Sequence, residues 1–185
     1  MKKFLIATVG KTHSGKTTFA RALEKKLRNS VVIDQDVHAE FLLNHYPSLV
    51  PTTGPHRLKF AITKSIVDYA VNETNQHIIL CNSNENKANR LKLLKDFHAH
   101  DFTSILVNFD IPQEVLIERI ASSGRRTDIL RTVSSFEEVL HMQESLTDKG
   151  QNISPDDDEA DYIFTIENGD EMETILQKII EIIGE

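Results

Sequence analysis

Hydrophobic and polar positions along this chain follow two rhythms in turn. Short unbroken apolar runs of strand length occur at Lys2 to Val9, Val31-Val32-Ile33, His77 to Cys81, Phe102 to Phe109 around Ile105-Leu106-Val107, and Tyr162 to Ile166. Between them apolar residues recur every three or four positions: Phe19, Leu23 and Leu27; Val37, Phe41 and Leu42; Leu58, Ile62, Ile66 and Tyr69; Leu91, Leu94 and Phe97. The same spacing continues in Val115, Leu116 and Ile120, in Val139, Leu140 and Leu146, and in Met172, Ile175, Leu176, Ile179 and Ile183. Strands that are apolar on both sides belong in the middle of a layered structure. Five of them alternating with helices predict an α/β fold: a five-stranded parallel sheet with helices on both faces, three layers in all.

Local signals place the ends. The first helix is expected over about 16–29, and Pro47 to Pro55, with three prolines, reads as a loop between helices at 37–45 and 58–72. Pro112 falls where the first turn of the fifth helix belongs, Ser135-Phe136-Glu137-Glu138 forms a capping box, and Asp156-Asp157-Asp158-Glu159 reads as a solvated turn. No repeat or linker interrupts the series. The expectation is one domain over 1–185, with a helical insertion at about 37–72 on the substrate side and a lid at about 119–131.

The junction of the first strand and first helix changes the picture from fold to chemistry. Gly10-Lys11-Thr12-His13-Ser14-Gly15-Lys16-Thr17 satisfies G-x-x-x-x-G-K-[ST], the P-loop pattern, in its required strand–loop–helix setting. Gly10 and Gly15 let the backbone turn its N–H groups inward as a nest for phosphate oxygens. Lys16 reaches the β- and γ-phosphates, Thr17 offers its hydroxyl to Mg²⁺, and the helix beginning here directs its positive end at the anion. Gly10, Thr12, His13, Ser14, Gly15, Lys16, Thr17 and Thr18 are therefore assigned to a nucleoside triphosphate. The side chains of His13 and His38 are given no chemical role.

Composition narrows the partners. With 185 residues, 21 basic against 28 acidic side chains and a net charge of −7, a broad nucleic-acid or anionic-membrane footprint is disfavoured and a small substrate favoured. Cys81, the one cysteine, excludes an internal disulfide and reads as a buried structural thiol. The strand begins directly after Met1-Lys2-Lys3, and no apolar run approaches the roughly 18 residues of a membrane span. A soluble cytoplasmic protein is expected. The eight histidines show no metal-binding spacing.

Three further groups converge on the phosphate loop if the sheet is parallel. Asp36 follows the second strand, where a carboxylate accepts an acceptor hydroxyl's proton, holds Mg²⁺ through water, or serves as a helix N-cap. Asp34 is the alternative, because period two puts both on one strand face. Arg119, Arg125 and Arg126, with Arg131 close behind, form the one arginine-dense stretch. They stabilise charge on a transferring phosphoryl group, with Arg119 and Arg126 the expected catalytic contacts, Arg125 assigned to the nucleotide and Gly124 as hinge, or make an exposed basic helix end beside Glu118. Asn82-Ser83-Asn84 ends the third strand where an aspartate is usual; Asn82 bonds a metal-bound water or is structural.

Laid out in this way, the chain resembles the P-loop kinase group that includes polynucleotide 5′-hydroxyl kinase and the zeta-toxin-type kinases, and more loosely the shikimate, gluconate and adenylate-type kinases. Uncharacterised bacterial ATP-binding proteins of that group are the most similar overall. The resemblance rests on Gly10 to Thr17, on Ile33-Asp34-Gln35-Asp36 against I-D-x-D, on Asn82-Ser83-Asn84 against D-x-T-N, and on the arginines from Arg119 to Arg126. It implies ATP- and Mg²⁺-dependent phosphorylation of a hydroxyl, with Asp36 as base and a small-molecule acceptor. Two departures, His38-Ala39-Glu40 after the base and Asn82 for aspartate, weigh against polynucleotide acceptors. The alternatives are a nucleotide-binding regulatory protein without catalysis, favoured by Asn82, and a kinase of nucleic-acid 5′ ends. The turn Asn168-Gly169-Asp170 is a candidate wall for the base.

Overall fold

The computed structural model describes residues 2–130 and 132–184. Strands β1 (Lys3–Gly10), β2 (Ser30–Ile33), β3 (His77–Leu80), β4 (Phe102–Phe109) and β5 (Tyr162–Ile166) form one sheet in the order β2-β3-β1-β4-β5, every pairing parallel. Helices α1 (Lys16–Lys26), α2 (Gln35–His45), α3 (Arg57–Glu73), α4 (Lys87–His98), α5 (Gln113–Ala121), α6 (Phe136–Asp148) and α7 (Met172–Ile183) make the crossovers and the closing element.

The two-sided burial of the strands explains their unbroken apolar runs. Phe4, Ile6, Ile79, Ile105 and Val107 face a core shared with α1, α5, α6 and α7. Leu5, Ala7, Ile78, Leu80 and Leu106 face a second core, with Ala70, Val71, Leu94 and Phe97 of α3 and α4. Successive residues point to opposite faces, so one strand feeds both cores.

Because β1 is central, with β3 on one side and β4 on the other, the chain reverses its direction of progress across the sheet at β1. Such a switch opens a crevice beyond the carboxyl ends of the strands. The loop after β1 fills it, and close approach makes Gly10 obligatory there. A Cβ at Gly10 would lie 2.8 Å from the Phe109 carbonyl oxygen and 2.9 Å from the Phe109 Cβ, at φ +139°.

Several boundaries differ from the pattern. Helix α1 stops at Lys26, because Leu27 is extended and Asn29 takes φ 50° to turn the chain into β2. Pro112 is the N-cap of α5, just before its first turn. Ser135 caps α6, accepting from the Glu138 N–H, but the Glu138 carboxylate reaches one residue further back, to the Ser134 N–H and hydroxyl. A full capping box occurs instead at Asn168 and Glu171. Glu159 does not belong to a solvated turn: its carboxylate grips the fully buried Arg90 at 2.7 and 3.0 Å. A buried guanidinium requires such a partner.

Candidate functional site

A cavity of about 1140 Å³ lies along the carboxyl edge of the sheet. Its lining draws on the segment after each strand: Thr12 to Thr18 after β1, Asp34 to Val37 after β2, Cys81 to Ser83 after β3, Ile111 after β4, and Ile166 and Gly169 at the end of β5. Arg119, Arg125, Arg126 and Lys59 also reach it. That volume exceeds an ordinary single-ligand pocket and suits two molecules end to end.

The phosphate loop is held from behind. Gly10 donates to the Ser83 carbonyl at 2.9 Å, and Asn84, at φ 46°, returns its side-chain amide to the Thr8 carbonyl at 2.8 Å. The Asn82 carbonyl accepts from the Thr8 hydroxyl at 3.1 Å, so the segment after β3 is bound to β1 through its backbone. Gln143 of α6 accepts from the Thr12 N–H at 2.9 Å and donates to the buried Glu85 carboxylate. Arg90 in turn donates to the Asn84 and Glu85 carbonyls at 2.9 and 3.1 Å. Burial pushes the Glu85 carboxyl up, against the pull of Lys16 and the Gln143 hydrogen bond.

Lys16 curls into the loop, donating to the Lys11 carbonyl and, at 3.1 Å, to the Ser14 hydroxyl. Burial brings its ammonium down to about 8, with Cys81 and Glu85 opposing and Arg125 assisting. An ammonium held at such a cost among inward backbone groups fits a site for a phosphate chain. Gly15 takes φ 106° at the start of α1, and a Cβ there would point toward Met172 and Arg119.

Beside the loop, the Thr17 hydroxyl donates to Asp34 Oδ2 at 3.3 Å and lies 3.3 Å from the Cys81 sulfur. Burial raises the Cys81 thiol to about 11, which keeps it a neutral, structural group. Asp34 is buried, and its other oxygen caps α2 by accepting from the Asp36 N–H at 2.9 Å. Burial raises its carboxyl too, against that bond and the Thr17 hydroxyl. Among the described residues no three His, Cys, Asp or Glu side chains cluster as metal ligands. A hydroxyl next to one carboxylate still fits Mg²⁺, which takes one or two protein oxygens and fills the rest with phosphate and water.

The pairing of Asp34 and Asp36 on a strand face does not occur. Strand β2 ends at Ile33, Asp34 is the N-cap, and Asp36 stands in the first turn of α2. The carboxylate that meets Thr17 is therefore that of Asp34, whereas Asp36 turns to the cavity mouth and pairs with Arg125. The guanidinium of Arg125 also lies 4.8 Å above the Phe136 ring. Arg119 donates to the His13 and Ser14 carbonyls at 3.2 and 3.1 Å, clamping the phosphate loop. Arg126 goes elsewhere: it binds Asp128, faces Glu40 at 3.7 Å and donates to Asn44. Arg131 lies outside the described residues. Ser123 meets His13 Nε2 at 3.0 Å, so the stretch after α5 crosses from the phosphate loop to α2. Burial, then Arg125 and Lys16, lower the His13 imidazole.

Sequence reasoning missed Gln143, Glu85 and Arg90. No short-range signal marks them, since Gln143 lies 131 residues from Thr12 and 58 from Glu85.

No curated protein matches the chain. Among solved structures, it is similar to a proposed kinase from Chloroflexus aurantiacus, with 19% identity, TM-score 0.67, and 98% and 96% of the two chains covered. Kti12 from Chaetomium thermophilum, in complex with ADP-AlF3, gives 18% identity, TM-score 0.65, and 98% and 100% coverage. Shikimate kinase from Bacteroides thetaiotaomicron gives 18%, 0.60, and 98% and 99%. At these identities the likeness establishes the fold. The sequence itself matches the AAA domain family over residues 5–147. The chain belongs to that family, and its α/β fold is the one found in the P-loop kinases.

Proposed function

We propose that this protein is an ATP- and Mg²⁺-dependent phosphotransferase acting in the cytoplasm, moving the γ-phosphate to a hydroxyl of a small molecule. The observation that carries the reading is the bridge from Arg125 to Asp36 over the cavity whose floor is the phosphate loop. In this reading the carboxylate serves the attacking oxygen and the guanidinium the transferring phosphoryl group. The segment 35–73 forms the acceptor side, the residues after Arg119 the lid, and Ile166, Gly169 and Met172 one wall of the nucleoside end.

In this mechanism Asp36 accepts the acceptor's proton as its oxygen bonds to the γ-phosphorus and the bond to the β,γ-bridging oxygen breaks, leaving ADP. Lys16 leaves Lys11 and Ser14 for the phosphate oxygens, and Arg119 keeps the loop in shape. Arg125 turns from Asp36 to the transferring group, which frees the carboxylate for its proton. Bound Mg²⁺, next to Thr17 and Asp34, would neutralise charge on the β- and γ-oxygens. Similarity to shikimate kinase and to ADP-AlF3-bound Kti12 supports nucleotide use and a small acceptor.

Asn82, with an amide where the related group has a carboxylate, favours a second reading: nucleotide binding without transfer. One experiment separates them. Incubation of the protein with γ-labelled ATP and a metabolite extract yields a labelled organic product if transfer occurs. Only labelled inorganic phosphate, with nucleotide binding intact, leaves the second reading.

A further inference from the structure

The acceptor half of the cavity holds one cation that stands outside its ion pairs. Asp34 is engaged by Thr17 and by the start of α2, and Asp36 by Arg125. Arg126 is engaged by Asp128. Lys59 lines the same cavity, half-buried, and among the described residues its ammonium makes no ion pair. It lies over the Phe60 ring, 4.9 Å from the ammonium to the centroid.

The surroundings make this position costly for a cation. Lys59 stands in the first turn of α3, which holds Arg57 as well and no acidic residue. The positive end of a helix favours anions, so the ammonium is opposed by the dipole as well as by its loss of water. Burial lowers its pKa, and Asp36 and Asp34, across the cavity, only partly offset that. Gly54, Pro55 and Val37 line the same cavity as small or apolar residues, and its carboxylates Asp34, Asp36 and Glu40 stand outside salt-bridge distance of Lys59. An anion in this space relieves every one of these terms at once; a neutral polyol relieves none of them.

We propose that the acceptor is an alcohol that also carries a carboxylate or phosphate group, whose anion pairs with Lys59 while its hydroxyl faces Asp36. This assignment rests on the phosphotransfer reading for its chemistry, but the anion site itself is testable without turnover. The phosphoryl group passes from ATP to that hydroxyl: the bond to the ADP oxygen breaks as the new one forms, and the hydroxyl proton goes to Asp36.

The first arm supplies γ-labelled ATP with three separate mixtures: hydroxy carboxylic acids, phosphorylated alcohols and neutral polyols. Label enters a product in one of the two anionic mixtures, and which one identifies the anion. Lys59→Met then raises the acceptor KM roughly 10- to 100-fold, the range of a charge-assisted hydrogen bond, with the KM for ATP within about twofold. Lys59→Arg, which keeps the charge, recovers most of the loss. Transfer to the neutral mixture as efficient as to either anionic one overturns the proposal, as does an equal rise in both KM values.

The second arm decides the matter if no mixture is labelled, an outcome that counts against the phosphotransferase reading alone. With Mg–AMPPNP bound, glycerate, glycerol 3-phosphate and glycerol are titrated while the backbone amide signals of residues 57–60 are followed by NMR. Saturable shifts with an anionic probe, absent in Lys59→Met, support the site. Shifts no larger than those with glycerol, or unchanged in the variant, refute it.

Discussion

The two ends of the cavity are built from different materials. At the phosphate end, backbone groups and buried side chains do the holding: Gly10 against Phe109, Thr12 on Gln143, and Gln143 on Glu85 above the buried Arg90–Glu159 pair. At the acceptor end, exposed charges meet across gaps between elements, as Arg125 meets Asp36 and Arg126 meets Glu40. Buried, fully satisfied networks fix one geometry, whereas exposed ion pairs contribute little and exchange partners readily. The contrast teaches that the phosphate end is preformed and the other end is free to rearrange, which under the proposed phosphotransfer is what a lid opening at each turnover requires.

The sharpest way to break that contrast is at Lys16. Lys16→Met should lower kcat/KM by at least ~1000-fold, since it removes both nucleotide binding and charge stabilisation. Yet its thermal midpoint at pH 7 should rise by roughly 3 °C, because the desolvated ammonium is strained. The pH dependence obeys the same logic. With the folded-state pKa lowered from 10.5 to about 8, the unfolded chain holds more protons between those values, and stability rises with pH across that window. Nucleotide affinity runs the other way, weakening above pH 8 as the ammonium loses its charge. Calorimetric titration at pH 7 and pH 9 with parallel thermal melts reads both signs; affinity independent of pH would mean that Lys16 is not the phosphate ligand.

Next in size is Asp36→Asn, expected to lower kcat by roughly 100- to 1000-fold with nucleotide affinity within about threefold. Asp34→Asn should differ in kind: it disturbs the Thr17 pair and the α2 cap, so the Mg²⁺ requirement and the melting temperature both change. Rates across a Mg²⁺ titration separate the two carboxylates, and identical profiles would merge their roles.

The two ends also differed in how far they could be read from residues alone. The phosphate loop is contiguous, its glycines and Lys16 are required by local geometry, and the five apolar runs gave the sheet because strands buried on both faces carry no other pattern. The supporting network was invisible, since Gln143 and Glu85 meet only once α6 is packed. Glu159 sits among acidic neighbours and looks solvated until Arg90, 69 residues away, folds under it. The division of labour between Asp34 and Asp36 turned on one residue: ending β2 at Ile33 sends the first carboxylate inward and the second to the mouth.

Gln143→Leu tests whether the buried end is as rigid as its bonding implies. It leaves the Thr12 N–H and the Glu85 carboxylate without partners, a loss of about 1–3 kcal/mol and a drop of several degrees in the thermal midpoint. Nucleotide affinity should fall roughly tenfold as the loop loosens. Because burial already raises the Glu85 carboxyl, Glu85→Gln in the same background should recover part of the stability. No recovery would mean that the damage comes from packing of α6 and not from the stranded charge.

The smallest effect is expected at the arginine next to the working one. Arg126→Ala removes an exposed guanidinium whose partners are Asp128, Glu40 and Asn44, none of them part of the phosphate loop, and kcat should stay within about twofold. Arg125→Ala removes the group that bridges to Asp36 and stacks on Phe136, and kcat should fall roughly tenfold or more. The pair of variants isolates position from charge, because both remove one positive charge from the same short turn. Equal losses would show that the stretch acts through its bulk field, and that the acceptor end is looser than the ion pair to Asp36 implies. A loss confined to Arg125 would locate the lid's contribution in one side chain, the one that must leave the base for the phosphoryl group as transfer begins.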